Sequence, residues 1–172
     1  CIHCDVTRKK SVKNAFKQIC EKFGGIDILI SNAGAAWQGS IGKVSDSLLK
    51  KSFDLNFYSH QYLSQEIIKI FLAQKTQGIL LYNISKQSID PGINFGPYGL
   101  PKASTLFLMR QYALEYGKFG IRANGVNADR IRSGILTNKL ISKRAKARGL
   151  NKKDYMQGNL LHTEVLAEDV AE

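Results

Sequence analysis

The sequence predicts an α/β fold in which helices cover a parallel sheet. Three short apolar runs, each of the length of a buried strand, alternate with segments whose apolar residues recur at helical spacing. Strands that alternate with helices of crossover length form βαβ units, and these build a parallel sheet. Polar or glycine-rich residues follow each apolar run, at the strand ends where open parallel sheets bind their ligands.

The first half of the chain is predicted to contain a strand end, a helix, a strand and a long helix. Residues 1–4 are expected to end a strand before Asp5, and apolar residues then recur at helical spacing until Gly24-Gly25 stops the helix. The run IDILIS (26–31) suits a buried parallel strand. An amphipathic helix, straight or bent, is expected over 45–75, with a serine or aspartate as its N-cap.

The second half continues the same alternation. The run GILLYNIS (78–85) predicts a buried strand, and a helix is expected from about 97 to 117. A third apolar run, at 121–128, predicts another strand. A basic helical segment should then extend to about 148, and residues 167–172 should form the first turn of a further helix.

Tyr98 and Lys102 lie four positions apart, close to Pro97 and Pro101. Proline is tolerated in the first turn of a helix, where the N–H groups have no acceptor within the helix. If the helix begins near Pro97, both prolines fall in that turn. Tyr98 and Lys102 then become neighbours on one face of the helix.

Composition limits the class of protein. A chain of 172 residues with 44% hydrophobic residues fits one domain, and no apolar run is long enough for a membrane span. Three cysteines form no even disulfide framework, which favours a reducing, cytoplasmic setting. The motif CIHC matches a zinc or redox spacing. However, Cys1 and Cys4 would point to opposite faces of a strand and no second ligand pair exists, so no metal site is predicted.

The chain carries a formal net charge of +11. A basic surface can bind nucleic acid. However, no aromatic residues are interleaved with the basic runs KRAKAR (143–148) and NKK (151–153) to stack on bases. The alternatives are a solvated face and the attraction of phosphorylated small molecules. No nucleic-acid partner is predicted.

Five sequence features in order resemble the short-chain dehydrogenase/reductases, which are Rossmann-fold oxidoreductases that use nicotinamide cofactors. These features are CDVT before a helix, GGIDILISNAG, Asn56 within a long helix, YNIS on a strand, and YGLPK as the family's Tyr-x-x-x-Lys. The resemblance implies a Rossmann-like, doubly wound parallel sheet that is incomplete, with the N-terminal βαβ unit missing. Residues 1–172 would then be a partial dehydrogenase domain that binds NAD or NADP, with NAD favoured.

The resemblance assigns roles to four catalytic residues. Tyr98 would act as general acid or base at the substrate oxygen. Lys102, helped by an oxidised nicotinamide ring, would lower the pKa of the tyrosine and would bond the ribose hydroxyls. Asn56 would anchor a water-mediated proton path behind the lysine, and Ser85 would orient the substrate oxygen.

The catalytic serine is not fixed by the sequence. Alignment on the strand end puts Lys86 in the family's serine position, whereas the distance to Tyr98 favours Ser85, with Ser88 as a further candidate. If Lys86 points into the site, it would attract an anionic or phosphorylated substrate.

The resemblance also implies the cofactor-binding residues. They are Asp5 and Val6 at the adenine ring, Asn32, Ala33 and Gly34 beside the adenosine half, Tyr98 and Lys102 at the nicotinamide ribose, Ile131 at the carboxamide and Ser133 near the pyrophosphate. The segment NADRIRSG (127–134) departs from the family's Pro-Gly pattern. Its two arginines could bind a phosphate or a partner.

The departures themselves form a pattern. The segments SKQSIDPGINFGPYGLPKAS, NADRIRSG and YMQGNLL resemble the dehydrogenase half of proteins fused to a class II aldolase. This implies a sugar-derived alcohol or hydroxyaldehyde as substrate, and an aldolase domain as a fused or cooperating partner. A homo-oligomer is expected through the helices at 45–75 and 97–117. The rival interpretation is a non-catalytic Rossmann-like binding or scaffold module.

Overall fold

The computed structural model of the chain describes residues 1–134 and 136–172. Within them, the strands Ile28–Ser31 (β1), Gly78–Asn83 (β2) and Ile121–Val126 (β3) form one parallel sheet in the order β1-β2-β3. Ile28 pairs with Ile79, and Gly78 pairs with Ile121. The predicted α/β class with a parallel sheet is confirmed.

Helices occupy the predicted intervals. A short 3₁₀ turn at Lys86–Ser88 follows β2, and another at Gly117–Phe119 follows the helix Gly96–Tyr116. A further short helix, which the sequence did not predict, lies at Lys152–Met156. The α-helices are Lys9–Phe23 (α1), Asp46–Phe53 (α2), Ser59–Gln74 (α3), Gly96–Tyr116 (α4), Asn138–Lys146 (α5), Lys152–Met156 (α6) and Ala167–Ala171 (α7).

Helix α1 shows the local rules clearly. Val12, Ala15 and Phe16 are buried on one face, as their spacing predicts. Gly24 ends the helix with a φ of 83°, a left-handed conformation that costs glycine little. The predicted stop at Gly24-Gly25 is therefore confirmed.

The helix predicted over 45–75 is interrupted by a π-helical turn. Ser45 caps α2, and its hydroxyl accepts a hydrogen bond from the Leu48 amide at 3.3 Å. Residues Asp54–Tyr58 then form the π turn that joins α2 to α3. Such turns are frequent at functional sites, and this one contains the buried Asn56.

The strand end predicted at residues 1–4 is wrong, because the structure assigns no strand there. The Asp5 amide donates to the Ser11 hydroxyl at 2.9 Å, so this backbone group turns toward α1 and not toward a neighbouring strand. Cys4 and Val6 are partly buried and pack against the core.

The core lies around β2. Leu80 and Tyr82 on this strand are fully buried, together with Ile67 and Phe71 of α3. A Cβ at Gly78 would lie 2.3 Å from the Phe71 ring, so only glycine lets the strand and α3 approach this closely.

The chain divides into two compact units, Cys1–Asn127 and Ala128–Glu172. The second unit has its own apolar cluster, which is made of Leu136, Ile141, Ala145, Tyr155 and Met156. Among the described residues, no helix has both the length and the apolar content that a bilayer span requires.

Candidate active site

The carboxyl end of β2 and the start of α4 bring Ser85, Tyr98 and Lys102 together. The chain leaves β2 at Asn83, and Ser85 follows in an extended conformation before the 3₁₀ turn. The Ser85 side chain neighbours the Tyr98 phenol closely enough to lower its pKa. This position agrees with the rule that parallel sheets place their functional groups at the carboxyl ends of strands.

Helix α4 carries Tyr98 and Lys102 on one face, as their four-residue spacing predicts. The expectation that both prolines lie in the first turn is wrong for Pro101. The helix begins at Gly96, so Pro101 falls in the second turn and removes the N–H that would bond to the Pro97 carbonyl. The Thr105 hydroxyl donates to the Pro101 carbonyl at 2.9 Å and supports the helix beyond this break.

A glycine lets α4 pack closely against the 3₁₀ turn. A Cβ at Gly99 would lie 3.1 Å from the Gln87 carbonyl oxygen, tighter than most such contacts in proteins. This close approach brings the residue before it, Tyr98, within reach of Ser85.

Ser85, Ser88 and Lys86 occupy different surroundings. Ser85 is buried and contacts Tyr98. The Ser88 hydroxyl donates to the Ser85 carbonyl at 2.7 Å and to the Asn127 side chain at 3.2 Å, which are structural contacts at the base of the turn. The Lys86 ammonium lies 3.0 Å from the Asp90 carboxylate, so this charge is paired with an acid on its own turn.

Lys102 is a buried cation, with 3% of its surface exposed. Its Nζ donates to the Asn83 carbonyl at 2.7 Å and lies 5.9 Å from the centroid of the Tyr98 ring. Burial lowers the pKa of Lys102 from 10.5 to about 8, because removal from water disfavours the charged amine.

The pKa of Tyr98 is shifted in the opposite direction from the one expected. Burial raises it above the ordinary value of 10.0, and the hydrogen bond with Ser85 lowers it only in part. Lys102 is not among the causes of this shift. The protein's own groups therefore keep Tyr98 as a neutral phenol at neutral pH, ready to donate a proton.

Asn56 fixes the loop that follows β1. Its side-chain amide donates to the Ala35 carbonyl at 2.9 Å, and its oxygen accepts from the Ala35 amide at 3.1 Å. Its main-chain carbonyl accepts from the Thr105 hydroxyl at 2.7 Å. Asn56 thus links the π turn to both the loop and α4.

The segment Asn32-Ala33-Gly34 lies beside these groups. The Asn32 side chain accepts from the Asn83 amide at 2.7 Å and so joins the ends of β1 and β2. A Cβ at Gly34 would lie 2.9 Å from the Asn56 side-chain oxygen and 3.7 Å from the Lys102 Nζ. Glycine at this position lets the loop backbone pack directly against Asn56 and pass close to the lysine.

Asp5 and Val6 start the loop before α1. The Asp5 carboxylate accepts from the Thr7 hydroxyl at 2.7 Å and from the Thr7 amide at 3.0 Å. The Thr7 side chain is the main cause that lowers the pKa of Asp5. Val6 packs in part against the core.

Ile131 and Ser133 belong to the second unit. The Ser133 hydroxyl accepts from the Leu136 amide at 3.3 Å. The arginines of this segment also make contacts inside the unit. Arg130 donates to the Tyr155 carbonyl at 2.7 Å and also lies near Asp129, and Arg132 pairs with Glu164.

Sequence reasoning missed two residues that hold the site together. The main-chain carbonyl of Asn83 accepts from Lys102, and its side-chain amide donates to Asn32. Its position at the end of β2 was the sequence signal that could have identified it. Thr105 bonds the Asn56 carbonyl from seven residues beyond Tyr98, and only the packing of α4 on the π turn reveals this contact.

Comparison with known proteins identifies the family. A family model described as enoyl-(acyl carrier protein) reductase matches residues 1–172. An uncharacterized oxidoreductase of Bacillus subtilis, YuxG, is 31% identical over 99% of this chain and 26% of its own length. A (+)-borneol dehydrogenase of Salvia officinalis is 30% identical over 99% of this chain and 64% of its own.

The fold is shared with solved dehydrogenases. Sorbitol-6-phosphate 2-dehydrogenase SrlD from Erwinia amylovora superposes with a TM-score of 0.88, over 97% of this chain and 67% of that one, at 21% identity. The chain spans between 26% and 64% of the length of the first curated relatives that it matches. The family match over the whole chain, together with this shared fold, shows that the chain belongs to the short-chain dehydrogenase/reductases, the Rossmann-fold oxidoreductases that bind NAD or NADP.

Proposed function

We propose that the whole protein transfers a hydride between a nicotinamide cofactor and a carbon that bears a hydroxyl or carbonyl group. One arrangement carries this proposal: the Ser85 side chain neighbours the Tyr98 phenol, and Lys102 lies one helical turn beyond Tyr98 with its ammonium 5.9 Å from the centroid of that ring. Membership of the dehydrogenase family supports the same reaction class.

Tyr98 is the proton carrier in this proposal. Its neutral phenol donates a proton to the substrate oxygen during carbonyl reduction and recovers it during alcohol oxidation. Ser85 donates a hydrogen bond to the same oxygen and orients it toward the phenol. When bound, the nicotinamide supplies the hydride acceptor or donor.

Lys102 and Asn56 support the tyrosine. The Lys102 ammonium stabilises the negative charge that develops at Tyr98 during proton transfer, and this effect is strong because the site is buried. Asn56 fixes the loop at Ala35, and it anchors the water-mediated proton path that we propose behind the lysine.

The same loop holds the cofactor in this proposal. Asn32, Ala33 and Gly34 would contact the adenosine half, and Asp5 and Val6 the adenine ring. Tyr98 and Lys102 would contact the nicotinamide ribose, with Ile131 at the carboxamide and Ser133 near the pyrophosphate. NAD is favoured over NADP.

We also propose a sugar-derived alcohol or hydroxyaldehyde as substrate and an aldolase domain as partner. The Bacillus subtilis relative supports a fused partner domain, since this chain covers only 26% of that protein's length. Lys86 was expected to attract an anionic or phosphorylated substrate if it points into the site. Its ion pair with Asp90 makes it a poorer attractant for such a substrate.

The test is an assay of the whole protein. The absorbance of reduced nicotinamide is followed against a panel of hydroxyaldehydes, sugar alcohols and simple secondary alcohols, with NAD and NADP in parallel. Turnover of at least one class supports the dehydrogenase. If the cofactor binds and no substrate turns over, the rival scaffold function gains the support instead.

A further inference from the structure

Two hydrogen-bonded turns connect Ser85 to Tyr98. The first is the 3₁₀ turn after β2, in which the Ser88 amide donates to the Ser85 carbonyl at 2.9 Å. The second leads into α4, where the Phe95 amide donates to the Gly92 carbonyl at 3.0 Å and the Tyr98 amide donates to the Phe95 carbonyl at 3.0 Å. The position of the Ser85 side chain relative to Tyr98 therefore depends on how these two turns are joined.

The side chain of Gln87 joins the two turns. Gln87 lies in the first turn, and its Oε1 accepts a hydrogen bond from the Gly92 amide at 2.8 Å. A Cβ at Gly92 would lie 3.1 Å from this oxygen, so glycine lets the second turn approach the side chain this closely. The main-chain carbonyl oxygen of Gln87 lies 3.1 Å from the place of a Cβ at Gly99. Gln87 is therefore packed against both the second turn and the start of α4.

The main-chain amide of Gln87 holds the Ser85 hydroxyl, because it donates to the Ser85 Oγ at 3.3 Å. A serine hydroxyl has one proton to donate and two lone pairs that accept. Since the Oγ accepts in this contact, the contact leaves the hydroxyl proton for a substrate oxygen. This is the direction of hydrogen bonding that the proposed function requires of Ser85.

The contact between the Gln87 amide and the Ser85 hydroxyl is sensitive to small movements of the first turn. N–H···O bonds in proteins usually measure about 2.9–3.0 Å, so a bond of 3.3 Å is already long. A small further displacement of the turn would break it. The first turn must therefore be held in place, and the bond from the Gln87 side chain to Gly92 supplies such a restraint.

The second turn is a suitable anchor because it is itself held. The Asn94 carbonyl accepts from the Gly39 amide at 2.9 Å, which ties the turn to the loop after β1. Asn94 has a φ of 63°, a left-handed conformation that asparagine tolerates better than most residues. The Phe95 ring packs edge-on against the Tyr98 ring, with 6.5 Å between the centroids. The restraint at Gly92 thus runs to the turn that contacts the Tyr98 ring.

We propose that Gln87 is a positioning residue for Ser85. Its side chain fastens the first turn to Gly92, and the fixed turn presents its main-chain amide to the Ser85 hydroxyl. The hydroxyl is then held as an acceptor on one side, with its proton left for the substrate oxygen. Gln87 acts through Ser85, so this inference rests on the proposed function in treating Ser85 as the group that orients the substrate oxygen.

The first test is a double-mutant cycle in the whole protein. Methionine has nearly the length of glutamine but no acceptor for the Gly92 amide, so Gln87→Met should lower kcat about tenfold. In a Ser85→Ala background the same change should lower kcat no further, because Gln87 acts through the Ser85 hydroxyl. Losses that multiply in the double variant, or wild-type kcat in Gln87→Met, would overturn the proposal.

Two further variants test the contact between the two turns. Gln87→Glu keeps an acceptor for the Gly92 amide and should recover most of the lost kcat. Gly92→Ala disturbs the contact from its other end, since the new Cβ would lie 3.1 Å from the Gln87 Oε1. It should lower kcat as Gln87→Met does, and it covers the case in which Gln87→Met does not fold. Equal losses in Gln87→Glu and Gln87→Met would contradict a role for the acceptor.

The matched control is Gln74→Met. Gln74 also ties two segments together, since its Oε1 accepts from the Ile26 amide at 2.8 Å and its Nε2 donates to the Ile26 carbonyl at 2.9 Å. These contacts lie before β1, at the opposite end of the strand from the candidate active site. Gln74→Met should lower the urea midpoint and leave kcat near that of wild type. An equal fall of kcat in Gln74→Met and Gln87→Met would indicate a general effect on the fold and would refute the positioning role.

A last measurement does not depend on turnover. The ¹³Cζ resonance of Tyr98, identified by its loss in Tyr98→Phe, reports the contacts of the phenol. Ser85→Ala should shift this resonance, because Ser85 neighbours the phenol. Gln87→Met should shift it in the same direction, and an unmoved resonance in Gln87→Met alone would overturn the inference. If these shifts occur and no substrate turns over, the failure belongs to the proposed function and not to the positioning of Ser85.

Discussion

At the residue scale, the buried charge of Lys102 lowers the stability of the fold and serves the proposed reaction. Its ammonium is buried and has one hydrogen-bond partner in the described part of the chain, the Asn83 carbonyl. Burial favours the neutral amine, which is why the pKa falls to about 8. At neutral pH the lysine still carries its charge, close to the phenol that it is proposed to assist.

Replacing Lys102 by methionine should therefore stabilise the fold while removing activity. The fall in pKa from 10.5 to about 8 corresponds to about 3 kcal/mol of burial penalty at pH 7. The lost hydrogen bond to Asn83 offsets about 1–2 kcal/mol of this gain. Urea unfolding at pH 7 should show Lys102→Met more stable than wild type by about 1–2 kcal/mol.

The pH dependence of this difference has a definite sign. Between pH 8 and 10.5 the unfolded chain binds more protons at Lys102 than the native chain, so the stability of wild type rises with pH. The advantage of Lys102→Met should shrink across this window. An advantage that is constant from pH 7 to 10 would show that the lysine is not desolvated.

Ser85 and Ser88 are distinguished by their contacts. Ser85→Ala removes the hydroxyl beside the Tyr98 phenol that is proposed to orient the substrate oxygen, and it should lower kcat by about 10²-fold. Ser88→Ala breaks bonds to the Ser85 carbonyl and to Asn127, so it should cost about 1 kcal/mol of stability with turnover within a few-fold of wild type. The opposite pattern of kcat values would transfer the catalytic role to Ser88.

At the element scale, the loop after β1 depends on the π turn. A Cβ on Gly34 would press on the Asn56 oxygen at 2.9 Å, so Gly34→Ala should disturb this contact and weaken nicotinamide binding by about tenfold. The control is Gly42→Ala, since a Cβ there meets no atom within 4 Å. Fluorescence titration with reduced nicotinamide measures both, and equal affinities would exclude the loop from the cofactor site.

Element positions were largely predictable, and their irregularities were not. The stop at Gly24 and the spacing of Tyr98 and Lys102 follow from local rules. The π turn around Asn56 has no compositional signature, because it is stabilised by contacts with Ala35 and Thr105. Pro101 was misplaced by one turn for a related reason, since packing on the core sustains the helix beyond the break.

The part of the site that was predictable consists of side chains that stand in recognisable sequence patterns. Tyr98, Ser85 and Asn32 stand in recognisable patterns at strand ends and at a helix start. The Asn83 carbonyl that holds Lys102 is a backbone atom, and every residue type offers one. The hydrogen bond between the buried side chains of His60 and Ser31 spans 29 positions, and no local spacing rule connects residues so far apart.

At the scale of the whole molecule, α4 presents an exposed apolar stripe. Leu100, Phe107 and Leu114 are seven residues apart and are 46%, 67% and 77% exposed. This spacing places them on one face of the helix. The stripe supports the proposal that the whole protein is a homo-oligomer that uses this face, because exposed apolar patches of this kind commonly mark interfaces.

A charge in the middle of the stripe should therefore break the assembly. Phe107→Glu is expected to shift the whole protein to a smaller species in sedimentation velocity. Asn14→Glu, on the exposed face of α1, adds the same charge away from the stripe and should leave the mass unchanged. If both variants sediment as wild type does, the oligomer uses another face or does not form.

The most direct test of the central claim is the turnover of Tyr98→Phe in the whole protein. The matched control is Tyr112→Phe, which removes a phenol hydroxyl of the same helix that bonds Gln61 at 3.0 Å. With the substrate that the panel identifies, Tyr98→Phe should lower kcat by about 10²–10⁴-fold and still bind the cofactor, while Tyr112→Phe stays near wild type. Wild-type turnover in Tyr98→Phe would contradict the assignment of Tyr98 as the proton carrier.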